Sequence, residues 1–388
     1  MKGKFQIAVF ILLISILTAC QSGVSTPVEV SDKPTETSNV ATPSVYKIGF
    51  SGPLTGDGAY YGQAEKEGIE LAVEEINKAG GVKGVPLEVV YEDDRNNTAD
   101  AQTVLLKLAE TDKVPVIIGI NTSSITMATC QKAEELQIVQ YSIGSNPKIG
   151  STCGDYAFLM MGNDLQQGQE MAKIGQALKL KTAVVVYINN DYGIGNKNAF
   201  IAATKEGGIE VLAEVPLQPE GKDYRTEALQ VKSQNPDMVA FIAYGSEGSV
   251  FLRQSKEIGL QTQFIADNNW SDTSMWDLAG DALTGMITLL TGKHGSPEYL
   301  KFADAFRAKY NKEPSIWSEY FYDEVVMVAK AIEIGGYSGA GIKDGTHKVS
   351  ETFVGASGPK KFDDENYVTY SFDWVQWQAD GTLALVQQ

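Results

Sequence analysis

The chain has 388 residues, 43% of them hydrophobic, with 32 basic against 49 acidic residues and a formal net charge of −17. That balance excludes a nucleic-acid binder, whose affinity rests on Lys and Arg contacts to phosphate, and fits a solvated acidic surface. Only two histidines occur, His294 and His347, so acid–base catalysis by imidazole has little to draw on.

Lys2 and Lys4 precede a nearly unbroken apolar run from Phe5 to Leu17. The run is too short for a comfortable membrane span and has the layout of a secretory signal peptide. It ends in Leu17-Thr18-Ala19-Cys20, which resembles the bacterial lipobox. The resemblance implies that residues 1–19 are a lipoprotein signal peptide, that Cys20 is diacylated, and that the mature body sits outside the cytoplasm, anchored to a membrane face. Two acyl chains make such an anchor stable, at about 0.8 kcal/mol per buried CH₂. Residues 20–45, rich in Ser, Thr, Pro and Val without period, are expected to form a flexible tether. No other stretch is long and apolar enough to cross a bilayer. Cys130 and Cys153 are the remaining cysteines; outside the cytoplasm the default for such a pair is a disulfide.

About 340 residues follow the tether, enough for two domains. Strands are expected at 46–51, 87–92, 114–119 and 138–142, alternating with helices at 62–79, after Asn97 or Thr98, and at 124–137. The order then repeats: strands at 183–188, 211–215, 238–243 and 263–266, with a helix through Lys205 and others at 226–233 and 249–258. Helices at 297–310 and 318–335 and a hairpin at 372–378 and 382–386, turning on Asp380-Gly381, close the chain. The strands are continuous apolar runs, as in parallel sheets covered on both faces. Two successive βαβαβ runs give an α/β protein of two Rossmann-like lobes.

Ligands of open parallel sheets bind beyond the carboxyl ends of the strands. In the first run those ends carry Tyr61, Asn121-Thr122-Ser123-Ser124 and Gly144-Ser145-Asn146; in the second, Tyr192, Tyr244-Gly245-Ser246-Glu247 and Asp267-Asn268-Asn269. Hydroxyls at the start of the 124–137 helix suit a carboxylate, and the tyrosines suit pocket walls with polar tips. Asp93-Asp94 lacks the rest of a calcium loop. No nucleophile elbow or zinc motif occurs, so no metal, cofactor or enzyme activity is expected.

The segments IGFSGPLTGDGAYYG, INKAGGVKG, YEDD and FDWVQWQADGT resemble the type I periplasmic binding proteins of ABC importers, within them the leucine/isoleucine/valine-binding group. The likeness runs over nearly all of 46–388. It implies two lobes joined by a three-segment hinge, 46–163 with 291–372 and 164–290 with 373–388, closing over a ligand in the cleft. It implies a monomer that docks to permease subunits. By position it assigns the ligand carboxylate to Ser123 and Ser145, with Ser124 beside them. The ammonium falls to the Ile143 carbonyl, and the cleft walls to Tyr61, Tyr192 and Tyr244. One position departs. The family's acidic ammonium partner falls on Asn268, so Asp267 or Glu247 must substitute, or the ligand is an amide, a urea-like compound or a small carboxylate in place of a hydrophobic amino acid. A ligand sensor for a signalling receptor is the remaining alternative.

Overall fold

The computed structural model describes residues 43–292 and 294–386. The signal peptide, Cys20 and most of the tether lie outside the described residues.

The first half alternates β1 (Tyr46–Gly52), α1 (Ala59–Lys78), β2 (Leu87–Asp93), α2 (Thr98–Leu106), β3 (Val116–Ile120), α3 (Ser123–Leu136), β4 (Val139–Ser142), α4 (Lys148–Thr152) and β5 (Ala157–Leu159). These strands form one parallel sheet in the order β2-β1-β3-β4-β5. The second half runs α5 (Asp164–Ala177), β6 (Thr182–Ile188), α6 (Asp191–Gly207), β7 (Glu210–Leu217), α7 (Arg225–Gln234), β8 (Met238–Ile242), α8 (Gly245–Glu257), β9 (Gln263–Ala266), α9 (Met275–Ala279) and β10 (Ile287–Thr291). Three long helices follow, α10 (Pro297–Tyr310), α11 (Ile316–Gly335) and α12 (Gly339–Ser350), then the short pair β11 (Val354–Gly355) and β12 (Gly358–Pro359). The chain ends in the hairpin β13 (Phe372–Trp377) and β14 (Leu383–Leu385). The second sheet has seven strands, β14-β13-β10-β9-β8-β6-β7, antiparallel only at the β10-β13-β14 edge.

Each sheet has its own core. Around the first, Ile48, Phe50, Ile118 and Tyr141 pack with Trp317, Tyr320, Phe321 and Val328 of α11. Around the second, Val184, Val186, Phe241 and Trp270 pack with Met171 of α5 and Phe200 of α6. β3 and β8 are buried along their whole length, which is why both read as unbroken apolar runs rather than alternating ones. The chain thus leaves the first body after β5, returns to it after β10 to lay α11 and α12 against the first sheet with α10 packed on α1, and crosses once more into β13. Three strands of chain therefore join the two α/β lobes.

Polar caps start the helices that border the cleft. Asn97 Oδ1 accepts the Ala99 and Asp100 amides, Thr122 Oγ1 accepts Ile125, Asn163 Oδ1 accepts Leu165 and Gln166, and Asn190 Oδ1 accepts Gly193. Such caps satisfy amides that a helix cannot pair internally. Two starts come earlier than the apolar period suggests. α1 begins at Ala59, where Tyr60 and Tyr61 pack with ring centroids 4.0 Å apart and Tyr61 meets Trp317 at 5.5 Å. α8 begins at Gly245, directly after Tyr244, whose ring stacks on Tyr192 at 5.3 Å. Contacts from distant elements set both. Cys130 of α3 and Cys153 after α4 form a disulfide, closing a loop that contains β4 and the turn after it. Among the described residues no single helix is long and apolar enough to cross a membrane.

Candidate ligand-binding cleft

The carboxyl ends of the two sheets face each other, and between them lies a small cavity of about 20 Å³, room for little more than a water molecule and well below the size of a ligand site. Tyr61, Asn96, Asn121, Thr122, Ile143 and Trp317 wall it from the first lobe, Tyr244 and Asn269 from the second. The lobes touch around it. The Gly245 amide donates to Tyr61 Oη at 3.1 Å, Ser124 Oγ to Asp191 Oδ2 at 2.7 Å, and Lys222 pairs with Asp57. The cleft is therefore closed. A larger cavity beside Lys301, Lys330 and Lys348 lies along α10–α12, away from the strand ends.

On the first-lobe side, α3 points its N-terminus at the cleft. Ser123 is buried, and its oxygen accepts the Ser145 and Asn146 amides at 3.1 Å each. That hydroxyl ties the turn after β4 to α3 and keeps one proton to offer. Ser145 Oγ is buried without a partner, while its carbonyl accepts the Asp164 amide at 2.8 Å. The Ile143 amide is taken by the Ile120 carbonyl at 3.0 Å, and its side chain lines the cavity.

On the other side, Tyr192 Oη donates to Asp267 Oδ2 at 2.5 Å and accepts Asn269 Nδ2 at 2.7 Å. Asp267 also accepts the Asn269 amide at 2.9 Å. Burial pushes the Asp267 carboxyl up to about 7, with these donors holding it from going higher. Asp164, the first residue of α5 at the lobe crossing, is fully buried, and neither carboxylate oxygen has a hydrogen-bond partner. Burial raises it well above the usual carboxylate range, with the nearby Ser145 hydroxyl restraining the rise and Asp267 adding to it.

Of the residues expected in the cleft, Tyr61, Ile143 and Tyr244 line the cavity, whereas Ser123, Ser124, Ser145, Tyr192, Glu247, Asp267 and Asn268 do not. Ser124 spends its hydroxyl on Asp191 at the rim. Glu247 accepts the Glu220 amide at 2.9 Å and the Ser246 hydroxyl, bracing the loop after β7. Asn268 is fully buried against Gln167 and Met161, its backbone N–H donating to Gln167 Oε1 and its Nδ2 meeting Met161 sulfur at 3.2 Å; its neighbour Asn269 faces the cavity instead. A short 3-10 turn over Asn268–Ser271 decides which of the two looks outward, and no sequence period signals it. Trp317, Asn96 and Asp164 are the residues sequence reasoning passed over; Asn121 stood among the strand-end residues it named. Of these, Asp164 leaves a faint signal, an acidic residue beside an asparagine that already caps the helix. Among the described residues no cluster of His, Cys, Asp and Glu could hold a metal.

A model of the family described as periplasmic binding protein matches residues 45–382. This chain belongs to that family. It is 31% identical, over 88% of its length and 92% of the relative's, to the leucine-, isoleucine-, valine-, threonine- and alanine-binding protein of Pseudomonas aeruginosa. The leucine-specific-binding protein of Salmonella typhimurium is 26% identical over 88% of this chain and 93% of its own. Among solved structures, a branched-chain amino acid transporter substrate-binding protein of Streptococcus pneumoniae, in complex with isoleucine, matches with a TM-score of 0.81 at 27% identity, covering 88% of this chain and 99% of that one. A solute-binding protein of R. palustris in complex with benzoate reaches the same TM-score at 21% identity, covering 88% and 95%; this shares the fold. The protein is a solute-binding protein of the type I periplasmic class, and the family and these relatives are substrate-binding proteins of transport rather than enzymes.

Proposed function

We propose that this protein is a lipid-anchored extracytoplasmic receptor that captures an amino acid, or a closely related carboxylate, and presents it to the permease of an ABC importer. One observation carries the reading: the cavity sits where the strand ends of both sheets meet, beneath the α3 N-terminus, with two buried acids behind it. The first-turn amides of a helix and its partial positive charge suit a carboxylate, here with the Ser123 and Ser145 hydroxyls. The ammonium would be met by Asp164 and Asp267, an acidic pair that compensates for the neutral Asn268. A carboxyl buried this deeply is costly to ionise unless a cation answers it, and an ammonium entering the cleft would draw the Asp164 proton off. The Pseudomonas aeruginosa relative is named for binding leucine, isoleucine, valine, threonine and alanine, which supports the class.

The lobes that close over the ligand are 46–163 with 291–372 and 164–290 with 373–388. Calorimetry with L-leucine, L-isoleucine, L-valine, L-threonine, L-alanine and benzoate tests the reading, and at least one amino acid should bind. Asp164→Asn should weaken that amino acid tenfold or more, as loss of a charged hydrogen bond of about 1.5–3 kcal/mol requires. No heat with any amino acid would sink it. Cys20→Ser should move the protein from the membrane to the soluble fraction.

A further inference from the structure

The cavity is polar at an end where an aliphatic side chain would need none. Sheet order β2-β1-β3-β4 spreads its first-lobe wall in space. Ile143 and the Ser123–Ser145 pair stand at the β3–β4 end, whereas Asn96 follows β2 and Tyr61 lies on α1 after β1, with Asn121 at the end of β3 between them. A ligand whose carboxylate sits at the α3 N-terminus therefore sends its remote part toward Asn96, Asn121, Tyr61 and Trp317.

The Asn121 amide does not turn freely. Its Nδ2 donates to Glu65 Oε1 at 2.9 Å, while its Oδ1 is buried and has no hydrogen-bond partner. The two ends of a planar amide point apart, so nitrogen fixed on α1 turns the oxygen away from α1, toward the cleft. Glu65 is fully buried and has no cationic partner among the described residues; its neighbours are Asp94 and Glu324, themselves fully buried. Burial pushes Glu65 up to about 8 and also raises Glu324 well above the usual carboxylate range. A neutral carboxyl still keeps one acceptor oxygen, the atom Asn121 uses. A buried glutamate is an expensive way to build an apolar pocket. It does fix what Asn121 shows to the ligand.

We propose that Glu65 is a positioning residue that holds the Asn121 carbonyl oxygen toward the cleft, so that the receptor prefers ligands with a hydrogen-bond donor, a hydroxyl or carboxamide, on the part remote from the carboxylate. The inference rests on the amino-acid reading above and narrows it. An aliphatic side chain leaves Oδ1 desolvated and unpaired, and sites built around a hydrogen bond reject analogues that lack it.

Two pairs of near-identical shape test it by calorimetry: L-threonine against L-valine, and L-asparagine against L-leucine. The polar member of at least one pair should bind about tenfold tighter or better. Asn121→Leu should abolish or reverse that preference. Glu65→Gln, which keeps an acceptor oxygen for Asn121, should retain the preference, and Glu65→Leu should relax it. Stronger binding of the apolar member in both pairs, or a ratio unmoved by Asn121→Leu, would overturn the assignment while leaving an amino-acid receptor in place. A ratio lost equally in Glu65→Gln and Glu65→Leu would reduce Glu65 to a structural role and overturn its part. If no amino acid binds, the underlying reading falls and takes this one with it.

Discussion

Tyr192→Phe should destabilise the protein by an amount that grows with pH. The hydroxyl it removes sits in a buried triangle, donating to Asp267 and accepting Asn269. Burial lifts the Asp267 carboxyl from its ordinary 3.8 to about 7, so the folded state binds a proton that the unfolded chain has released. Stability contributed by this group is complete below about pH 4 and is lost as pH rises toward 7. The Tyr192 hydrogen bond favours the ionised form and limits that loss. Without it Asp267 titrates higher, and the decline continues above pH 7. At pH 5 the acid is neutral, and losing a neutral hydrogen bond costs about 1 kcal/mol; at pH 8.5 the carboxylate is ionised, and the cost is about 1.5–3 kcal/mol. Urea unfolding followed by circular dichroism at the two pH values measures the difference. An equal cost at both, or a smaller one at pH 8.5, refutes the assignment of the Asp267 titration to this triangle.

Three further outcomes follow from packing and covalent structure. Gly68→Ala would place a methyl 2.1 Å from the Ser318 carbonyl oxygen, where α1 crosses α11, and should cost about 1–3 kcal/mol; an unchanged melting temperature would contradict that crossing. Replacing Cys130 and Cys153 by serine opens a loop of 23-residue separation and should cost about 3 kcal/mol, read in melts of the variant beside the oxidised protein. Lys222→Ala removes the pair with Asp57 across the cleft, but both side chains are mostly exposed, so affinity for any bound amino acid should change by less than about fivefold and less still at high salt. A larger effect would mean that this pair, rather than the tyrosines, holds the lobes together.

The sequence by itself determined the α/β class, the order of the main strands and helices, and the strand ends that carry polar residues, but not β10 or α12. Continuous apolar runs such as Ala183–Ile188 can be satisfied only by strands covered on both faces, and helices such as α3 announce themselves through a capping Thr122 and a 3.6-residue period. β5, with three residues, and α5, with two glycines and four glutamines in its span, carry too little local signal, and their neighbours decide them. The tertiary structure alone decided which polar residues look into the cleft. Asn268 and Asn269 differ by one position in a tight turn, yet one is spent on Met161 and the other faces the cavity. Ser123 bonds the turn after β4, and Asn121 depends on a glutamate 56 residues away. Local sequence fixes where a backbone turns; the partner of a side chain is chosen by whatever distant element packs beside it.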